Sequence, residues 1–301
     1  MAIVLGQNQY GKAETRVVRI HRDTDRHEIR DLNVSTALRG DFAAAHTAGD
    51  QASVLPTDTQ KNTCFAYAKE HGVGEIEDYA LVLARHFVDD IAPVSRAHVE
   101  VDEYRWDRVA VEGGEHAHTF VRTGHEVRTA AITIDAERAV NAEWVISGIR
   151  DLVLLKSTGS QFTGFLKDRY TTLAEATDRI LATSLTARWR YATAQVAWGE
   201  AFGQVRQILL ERFATVYSRA LQQTLYEMGS AVLAARDDIA EIRLSAPNKH
   251  HFLVDLAPFG LDNPGEVFHA DDRPYGLIQC AVTREGAPPA GPSWESPATF
   301  A

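Results

Sequence analysis

The sequence is short of cysteine, with only Cys64 and Cys280 in 301 residues. Both lie in apolar runs, so we expect two small core residues and no disulfide framework. No apolar run is long enough to cross a bilayer, and the first residues lack the basic-then-apolar order of a signal peptide. The last three residues are not the Ser-Lys-Leu that directs proteins to peroxisomes. We therefore expect a cytoplasmic protein that does not enter a membrane.

Positive charge is also in deficit. The chain has 31 Lys and Arg residues against 41 Asp and Glu residues, which gives a formal net charge of −10. Such a field repels nucleic acid and anionic membranes, so neither is an expected partner. An anionic substrate would need a local cationic pocket. The hydrophobic fraction of 45% and the charged fraction of 24% are typical of a globular protein with one large or two ordinary domains.

The motifs of the common metal and cofactor classes are missing as well. There is no G-x-G-x-x-G between a strand and a helix, no G-x-x-x-x-G-K-[ST] and no G-x-S-x-G. His116 and His118 share one face of a predicted strand, and His250 adjoins His251, but no His-Glu-x-x-His or paired Cys-x-x-Cys accompanies them. With twelve histidines in the chain, one such pair is unsurprising. We predict that the protein has no metal site.

Hydrophobic periodicity predicts the same order of elements twice. Strands alternating between apolar and polar residues flank helices with apolar residues at helical spacing. In the first half the predicted strands are 16–22, 27–36, 97–106, 119–122 and 126–135, and the helices begin near 58 and cover 75–91. In the second half the predicted strands are 149–156, 185–198, 241–245, 252–256 and 277–284, and the helices contain 202–213 and 221–232. This order predicts an α+β fold of two similar units, 1–140 and 141–301, with antiparallel sheets and helix pairs on one face.

The polar segment 55–63 opens the first of these helices. The start of a helix offers free backbone N–H groups and the positive end of the helix dipole, which suit an anionic ligand. Thr57 and Gln60 also fit a capping box, in which Thr57 caps the third helical N–H group and Gln60 reaches back. On spacing alone, the cap is the better supported role for Thr57.

Three further polar clusters remain. The cluster 156–162 follows a strongly apolar predicted strand, 178–179 lies in a polar stretch, and 247–251 precedes a predicted strand. In each, one side chain has both a structural and a functional interpretation. Phe162 suits the core or a stacking platform for a flat ring, and Arg179 suits a surface ion pair or a planar grip on a heterocycle. His250 suits a structural role or proton transfer. Spacing alone identifies no reaction.

Taken together, these segments resemble the urate oxidase (uricase) family. The blocks that carry the resemblance are NQYGK at 8–12, PTDTQKNT at 56–63, LLKSTGSQF at 154–162, YTTL at 170–173, DRIL at 178–181, LQQTLY at 221–226 and PNKH at 247–250. They extend along nearly the whole chain, and several separated blocks in the right order argue against a chance match. The sequence is similar to the bacterial branch of the family.

The resemblance implies tandem tunnelling-fold (T-fold) units, a homotetramer and active sites at the interfaces between subunits. It also implies oxidation of urate by dioxygen to 5-hydroxyisourate and hydrogen peroxide, the first step of urate degradation toward allantoin. The family uses neither a metal nor an organic cofactor, because the urate dianion is electron-rich and can pass an electron directly to oxygen. The protein then has to supply deprotonation, orientation and a dry cavity.

The resemblance also implies roles for individual residues. Lys12 and Thr57 match the catalytic pair of the family, and His250 completes the proton relay. The positions that match substrate contacts are Thr57, Asp58, Phe162, Arg179, Leu221, Gln222 and Asn248.

Each matched substrate contact has an implied part of the ligand. The backbone N–H groups of Thr57 and Asp58 face the five-membered ring of urate, and Arg179 grips the opposite edge. Gln222 holds the six-membered ring, beside the backbone of Leu221. The two remaining contacts, Phe162 and Asn248, stack on the purine plane and position oxygen or water above it.

Two other classes remain as alternatives. A different tunnelling-fold enzyme acting on a purine or pterin would commonly use zinc, and the chain lacks a convincing ligand set. A non-catalytic purine-binding protein would keep Phe162, Arg179 and Gln222 but could lose the proton relay. All three relay residues are present, which favours the enzyme.

Overall fold

The structure is a computed structural model and describes residues 2–137 and 142–296. The described elements follow in the order β1 (Tyr10–His21), β2 (Glu28–Gly40), α1 (Ala43–Ala48), α2 (Thr57–Glu70), α3 (Ile76–Asp89), β3 (Val94–Glu103), β4 (Asp107–Val111), β5 (Gly114–Val121), β6 (Val127–Asp135), β7 (Ala142–Lys156), β8 (Leu181–Tyr191), α4 (Trp198–Thr215), α5 (Leu221–Ala235), β9 (Ile239–Leu253), a 3-10 turn (Ala257–Phe259) and β10 (Phe268–Thr283). Within the described residues, no helix combines the length and the apolar character needed to cross a bilayer.

The chain divides into two compact units. Unit 1 comprises Met1–Gly148, Arg190–Gly199 and Pro288–Ala301, and unit 2 comprises Ile149–Trp189 and Glu200–Ala287. The boundary predicted between residues 140 and 141 falls within 138–141, outside the described residues, and it stays a prediction.

Unit 1 is built on an antiparallel sheet with the strand order β1-β2-β3-β6. Helix α2 packs on β1, and helix α3 packs on β3 and β6. Of the apolar stripe predicted for α3, Ile76, Tyr79, Leu83 and Phe87 are buried. The last predicted member, Ile91, lies beyond the end of the helix and is half-buried. Burial of that stripe against the sheet explains why a helix with polar residues on its other face is stable here.

Unit 2 repeats the plan with the order β7-β8-β9-β10, and α5 packs on β9 and β10. Its core contains Leu225, Met228 and Val232 of α5. Gly229 lies between them, and a Cβ atom there would come within 2.7 Å of the Val282 side chain. Glycine therefore lets this helix approach the sheet closely. The predicted α+β class and its antiparallel sheets are confirmed in both units.

Two local predictions are wrong. The strand predicted over 185–198 ends at Tyr191, because the Thr193 hydroxyl accepts the N–H group of Gln195 in a side-chain turn. Trp198 instead begins α4, where its indole N–H donates to Asp78 at 2.7 Å. The strand predicted over 252–256 overlaps only the last two residues of β9, and 254–256 lie outside any strand. Residues 248–250 therefore lie inside a strand and do not precede one.

A buried ion cluster ties α3 to the sheet of unit 1. The Glu77 carboxylate has no exposed surface, and it accepts hydrogen bonds from Arg128 at 2.7 Å and from Ser147 at 2.5 Å. Arg128 also pairs with Glu75 at 2.7 Å. Burial raises the pKa of Glu77, and the charge of Arg128 opposes that shift.

Replacing Arg128 by methionine removes the cation from a buried carboxylate. We expect the free energy of unfolding of Arg128→Met at neutral pH to fall by about 3–5 kcal/mol, measured by urea titration. Burial raises the pKa of Glu77 in the folded state. Acid therefore protonates this carboxylate, and the neutral carboxyl group needs no cation beside it. The deficit relative to the wild-type protein should therefore shrink as the pH falls through that pKa.

The matched control is Arg105→Met, which breaks the exposed pair with Asp107. Its expected cost is below about 1 kcal/mol. Equal losses in the two variants, or a deficit in Arg128→Met that does not change with pH, would contradict the role given to the Glu77 cluster.

Candidate active site

The candidate residues fall into two groups, one in each unit. Unit 1 contains Lys12, Thr57 and Asp58. Unit 2 contains Phe162, Arg179, Leu221, Gln222, Asn248 and His250.

Thr57 is the first residue of α2, and the preceding Pro56 is the N-cap residue. No side chain caps this helix, and both Thr57 and Asp58 are exposed. The first intrahelical bond joins the N–H group of Gln60 to the carbonyl of Pro56 at 3.1 Å. The N–H groups of residues 57–59 are thus available to an acceptor, as predicted for the start of this helix.

The capping box predicted for Thr57 and Gln60 is wrong. Thr57 lies inside the helix, and the N-cap residue is a proline, which has no N–H group for a returning side chain. Gln60 is instead fully buried and bonds to Thr36 and Leu55. Thr57 is therefore not engaged as the cap of its own helix.

Lys12 is half-buried on β1, opposite Thr36 of β2. A β-bulge follows it, and Glu14 within the bulge has a φ of 56°. Two hydroxyls of β2 accept the N–H groups around the bulge: Thr36 takes that of Lys12 at 3.2 Å, and Ser35 takes that of Glu14 at 3.0 Å. A bulge redirects neighbouring side chains, so this irregularity sets the direction of Lys12.

Two lysines act on the start of α2. The carboxylate of Asp58 accepts hydrogen bonds from Lys61 and Asn62. Lys61 lowers the pKa of Asp58, and the charge of Lys12 contributes to the same shift. Lys12 therefore lies within electrostatic reach of the helix start. Together with the helix dipole, the two lysines favour an anion there.

In unit 2, backbone hydrogen bonds join three loop segments into a platform. Phe162 and Ala176 exchange both of their backbone hydrogen bonds, at 2.7 and 3.0 Å, and the N–H group of Arg179 donates to Ser160 at 2.9 Å. Ser218 continues the platform by pairing with Gly159 and Gln161 at 2.9 and 2.8 Å. This platform places Phe162 and Arg179 beside the chain that enters α5.

Two polar residues that adjoin the candidates anchor this platform. The ammonium group of Lys156 donates to the carbonyls of Phe213 and Val216 at the end of α4, and burial lowers its pKa. The Thr158 hydroxyl contacts both carboxylate oxygens of Asp178, at 3.0 and 2.9 Å. These contacts explain the polarity of the 156–162 segment without assigning it to a ligand.

Arg179 and Phe162 lie next to each other. The guanidinium carbon is 5.1 Å from the centroid of the Phe162 ring. Burial lowers the pKa of Arg179, and its buried Nε has no hydrogen-bond partner within residues 2–137 and 142–296. A buried donor without a partner is costly, so an acceptor on a ligand would stabilise it. A flat ring with acceptor atoms fits this pair.

The other face of the platform leads into α5. The N-cap residue of α5 is Ala220, and no side chain caps this helix either. Leu221 is buried and Gln222 is exposed. Gln223 turns back and accepts the N–H group of Arg219 at 3.0 Å. Of the two consecutive glutamines, Gln222 thus projects its amide to where a ligand can meet it.

Asn248 and His250 are alternate residues of β9 and therefore share one face of the strand. His250 stacks on Phe252 with the ring centroids 5.7 Å apart. Asn248 pairs with Gly276 of β10 and His250 pairs with Asp271, so residues 272–275 lie opposite Lys249 alone. This irregularity opens the strand pairing beside the two side chains. Helix α5 packs on the same strand.

The contacts therefore bring together Lys12 with the start of α2, and Phe162 with Arg179. Leu221 and Gln222 are related to Asn248 and His250 through the packing of α5 on β9. Sequence reasoning missed the contacts of Thr36 altogether. For Gln60, the sequence suggested a capping role and not the buried contacts with Thr36 and Leu55.

The histidine pair at 116 and 118 contacts a third histidine ring. The rings of His116 and His118 are 4.5 Å apart, and those of His27 and His118 are 5.8 Å apart. In the part of the chain that the structure describes, no group of three or more His, Cys, Asp or Glu residues could hold a metal ion.

Comparison with known proteins adds a family to this geometry. The uricase family matches residues 8–133 and 145–279. The uricase of Arthrobacter globiformis is 52% identical over 298 residues, covering 99% of this chain and 96% of that protein. The uricase of Danio rerio is 36% identical over 282 residues, covering 92% and 93%. The crystal structure of the Arthrobacter globiformis uricase superimposes with a TM-score of 0.92 at 51% identity, covering 98% of this chain and all of that one.

The fold and the relatives together define an oxidoreductase with tandem T-fold units. The chain belongs to the uricase family.

Proposed function

We propose that this protein is a urate oxidase that uses neither a metal nor an organic cofactor. Urate, dioxygen and water give 5-hydroxyisourate and hydrogen peroxide, so urate loses two electrons and dioxygen gains them. Membership of the uricase family supports the substrate. The observation that carries the proposal is the Phe162–Arg179 pair, whose buried, unpartnered Nε suits the acceptor edge of a purine.

In the proposed binding mode, urate stacks on Phe162 and accepts hydrogen bonds from the guanidinium of Arg179. A planar guanidinium can bond two acceptors at once. The amide of Gln222 and the backbone at Leu221 hold the six-membered ring at the start of α5. The N–H groups of Thr57 and Asp58 hold the five-membered ring at the start of α2, where the field favours an anion.

In the proposed relay, Lys12 is the base and Thr57 carries the proton between it and the ligand. A lysine accepts a proton only in its neutral form, and removal from water favours that form. His250 transfers protons on the oxygen side, where Asn248 positions dioxygen or water. The urate dianion then passes its electrons to oxygen, which leaves as hydrogen peroxide.

We also propose that the protein is a homotetramer and that each active site combines residues of two copies. Thr57, Asp58 and Gln222 are exposed in the single chain, whereas a site for this chemistry must exclude water. Among the described strands, β1 pairs only with β2, and its exposed face includes Val18 and Ile20, which are 55% and 41% exposed. A long edge strand with exposed apolar residues is normally covered by a partner.

The direct test is oxidation by the chelator-treated protein. After incubation with EDTA and removal of the chelator, we expect urate and dioxygen to be consumed in equal amounts while hydrogen peroxide is released. Absorbance reports urate, an electrode reports dioxygen, and metal analysis of the same sample shows whether any ion remains. Failure to release peroxide would contradict the proposed reaction. Activity that returns only when a metal is added would contradict the cofactor-free mechanism.

Lys12→Ala and Thr57→Ala test the relay. Loss of a proton-transfer group should lower kcat by about 10²–10⁴-fold. The Kd of a purine analogue that cannot be oxidised should rise by less than about tenfold, because Phe162 and Arg179 are unchanged. The control is Lys69→Ala, which should keep the wild-type kcat. Lys69 is exposed and lies in the last turn of α2, the helix that begins at Thr57. Equal losses of binding and turnover would reduce Lys12 and Thr57 to a positioning role.

Co-expression of two inactive variants tests the shared site. Lys12→Ala disables the unit 1 part of a site, and Arg179→Ala disables the unit 2 part. When the two variants pair, one site combines both intact parts and the other combines both defective parts. Random pairing at a two-fold interface should restore about a quarter of the sites. Arg179→Ala with Gln222→Ala is the control, because both changes lie in unit 2 and no intact site can form. No recovery in mixed assemblies verified by differential tagging would place the whole site in one copy.

A further inference from the structure

We propose that Thr36 and Gln60 are positioning residues that hold Lys12 in register with the start of α2. Neither residue is among the positions matched to the catalytic pair, the proton relay or the substrate contacts. The inference rests on the proposed function, because it concerns the placement of the base relative to Thr57.

Three consecutive hydrogen bonds connect β1 to the segment before α2, and each side chain that accepts one bond donates the next. The N–H group of Lys12 donates to the Thr36 hydroxyl at 3.2 Å, and that hydroxyl donates to Oε1 of Gln60 at 2.7 Å. The Gln60 amide nitrogen then donates to the carbonyl of Leu55 at 3.4 Å. A backbone N–H group can only donate and a carbonyl can only accept, so the two ends fix the direction of every link.

The environment of Gln60 shows that packing alone does not account for it. The buried side of α2 consists of Gln60, Cys64 and Ala68, spaced one turn apart. The other two are small and apolar, whereas Gln60 places a polar amide where it has no exposed surface. Burying an amide is unfavourable unless its hydrogen bonds are satisfied. The contacts with Thr36 and Leu55 satisfy it.

Thr36 is equally specific. It is 2% exposed and lies directly opposite Lys12 at the last regular pair before the β-bulge. The N–H group of Lys12 is held there by a side chain. The orientation of β1 at Lys12 consequently depends on the Thr36 hydroxyl, which in turn is oriented by Gln60.

The two ends of this chain of bonds reach both members of the proposed catalytic pair. One end is the backbone of Lys12, and the other is Leu55, two residues before Thr57. A displacement of about 1 Å between reacting groups can reduce a rate by about 10²-fold. Loss of either polar side chain should therefore reduce turnover although neither touches the ligand.

The test compares Thr36→Val, which keeps the shape and removes the hydroxyl, with Thr36→Ser, which keeps the hydroxyl. We expect kcat for urate to fall by roughly ten- to a hundredfold in Thr36→Val, with KM changed by less than about threefold. Thr36→Ser should stay within about threefold of the wild-type kcat, and Gln60→Leu should resemble Thr36→Val. Thr183→Val is the control, because Thr183 is a buried strand threonine whose hydroxyl has no partner within the described residues.

Hydrogen exchange supplies a readout that does not need activity. The peptide containing Lys12 should exchange at least about tenfold faster in Thr36→Val than in Thr36→Ser, since its N–H group loses its acceptor. If the wild-type protein does not oxidise urate, the proposed function fails and the positioning role fails with it. If the wild-type protein is active, three results overturn this inference alone: an unchanged kcat in Thr36→Val, equal losses in the valine and serine variants, or an equal loss in Thr183→Val.

Discussion

The close pairing of β1 with β2 is the constraint on which the unit 1 part of the proposed site depends. A Cβ atom at Gly11 would lie 1.8 Å from the carbonyl oxygen of Thr36, so only glycine permits the strands to meet here. The next residue, Lys12, is the last regular pair before the bulge. The strands approach closely at Gly11 and the β-bulge follows Lys12 directly, so the direction of this half-buried side chain is fixed. Helix α2 packs on the same strand, so one strand holds both the lysine and the start of the helix.

The two helix starts illustrate a common arrangement. Neither α2 nor α5 has a side-chain cap, although polar residues adjoin both starts. Those polar residues have other partners: Asp58 binds Lys61 and Asn62, and Gln223 binds the backbone of Arg219. With Asp58 and Gln223 engaged and no side-chain cap at either start, the first N–H groups of both helices remain available. A site that recognises a heterocycle through backbone donors needs this availability.

The sequence predicted the elements whose signals are local and missed the contacts that are not. The stripe of α3 follows from 3.6-residue periodicity, and its burial is confirmed. The run to Trp198 looked like one strand because a side-chain turn at Thr193 leaves little trace in an apolar pattern. The adjacency of Phe162 and Arg179 depends on a backbone bridge to Ala176, which no spacing rule reveals. Thr57 and Gln60 satisfied the capping motif, but Pro56 and the Thr36 hydroxyl decided the outcome through tertiary contact.

An acidic protein can bind an anionic substrate, because nearby and buried charges act on the ligand more strongly than distant charges exposed to water. The net charge of −10 counts every residue of the chain, whereas salt screens exposed charges that lie more than about 8–10 Å from a ligand. Arg179 is different, because burial that lowers its pKa also reduces screening around it. In unit 1, Lys12 and Lys61 act beside a helix start, and Asp58 is the carboxylate they neutralise. At the proposed site, nearby cations and two helix starts favour an anion, while the acidic net charge opposes nonspecific binding to other polyanions.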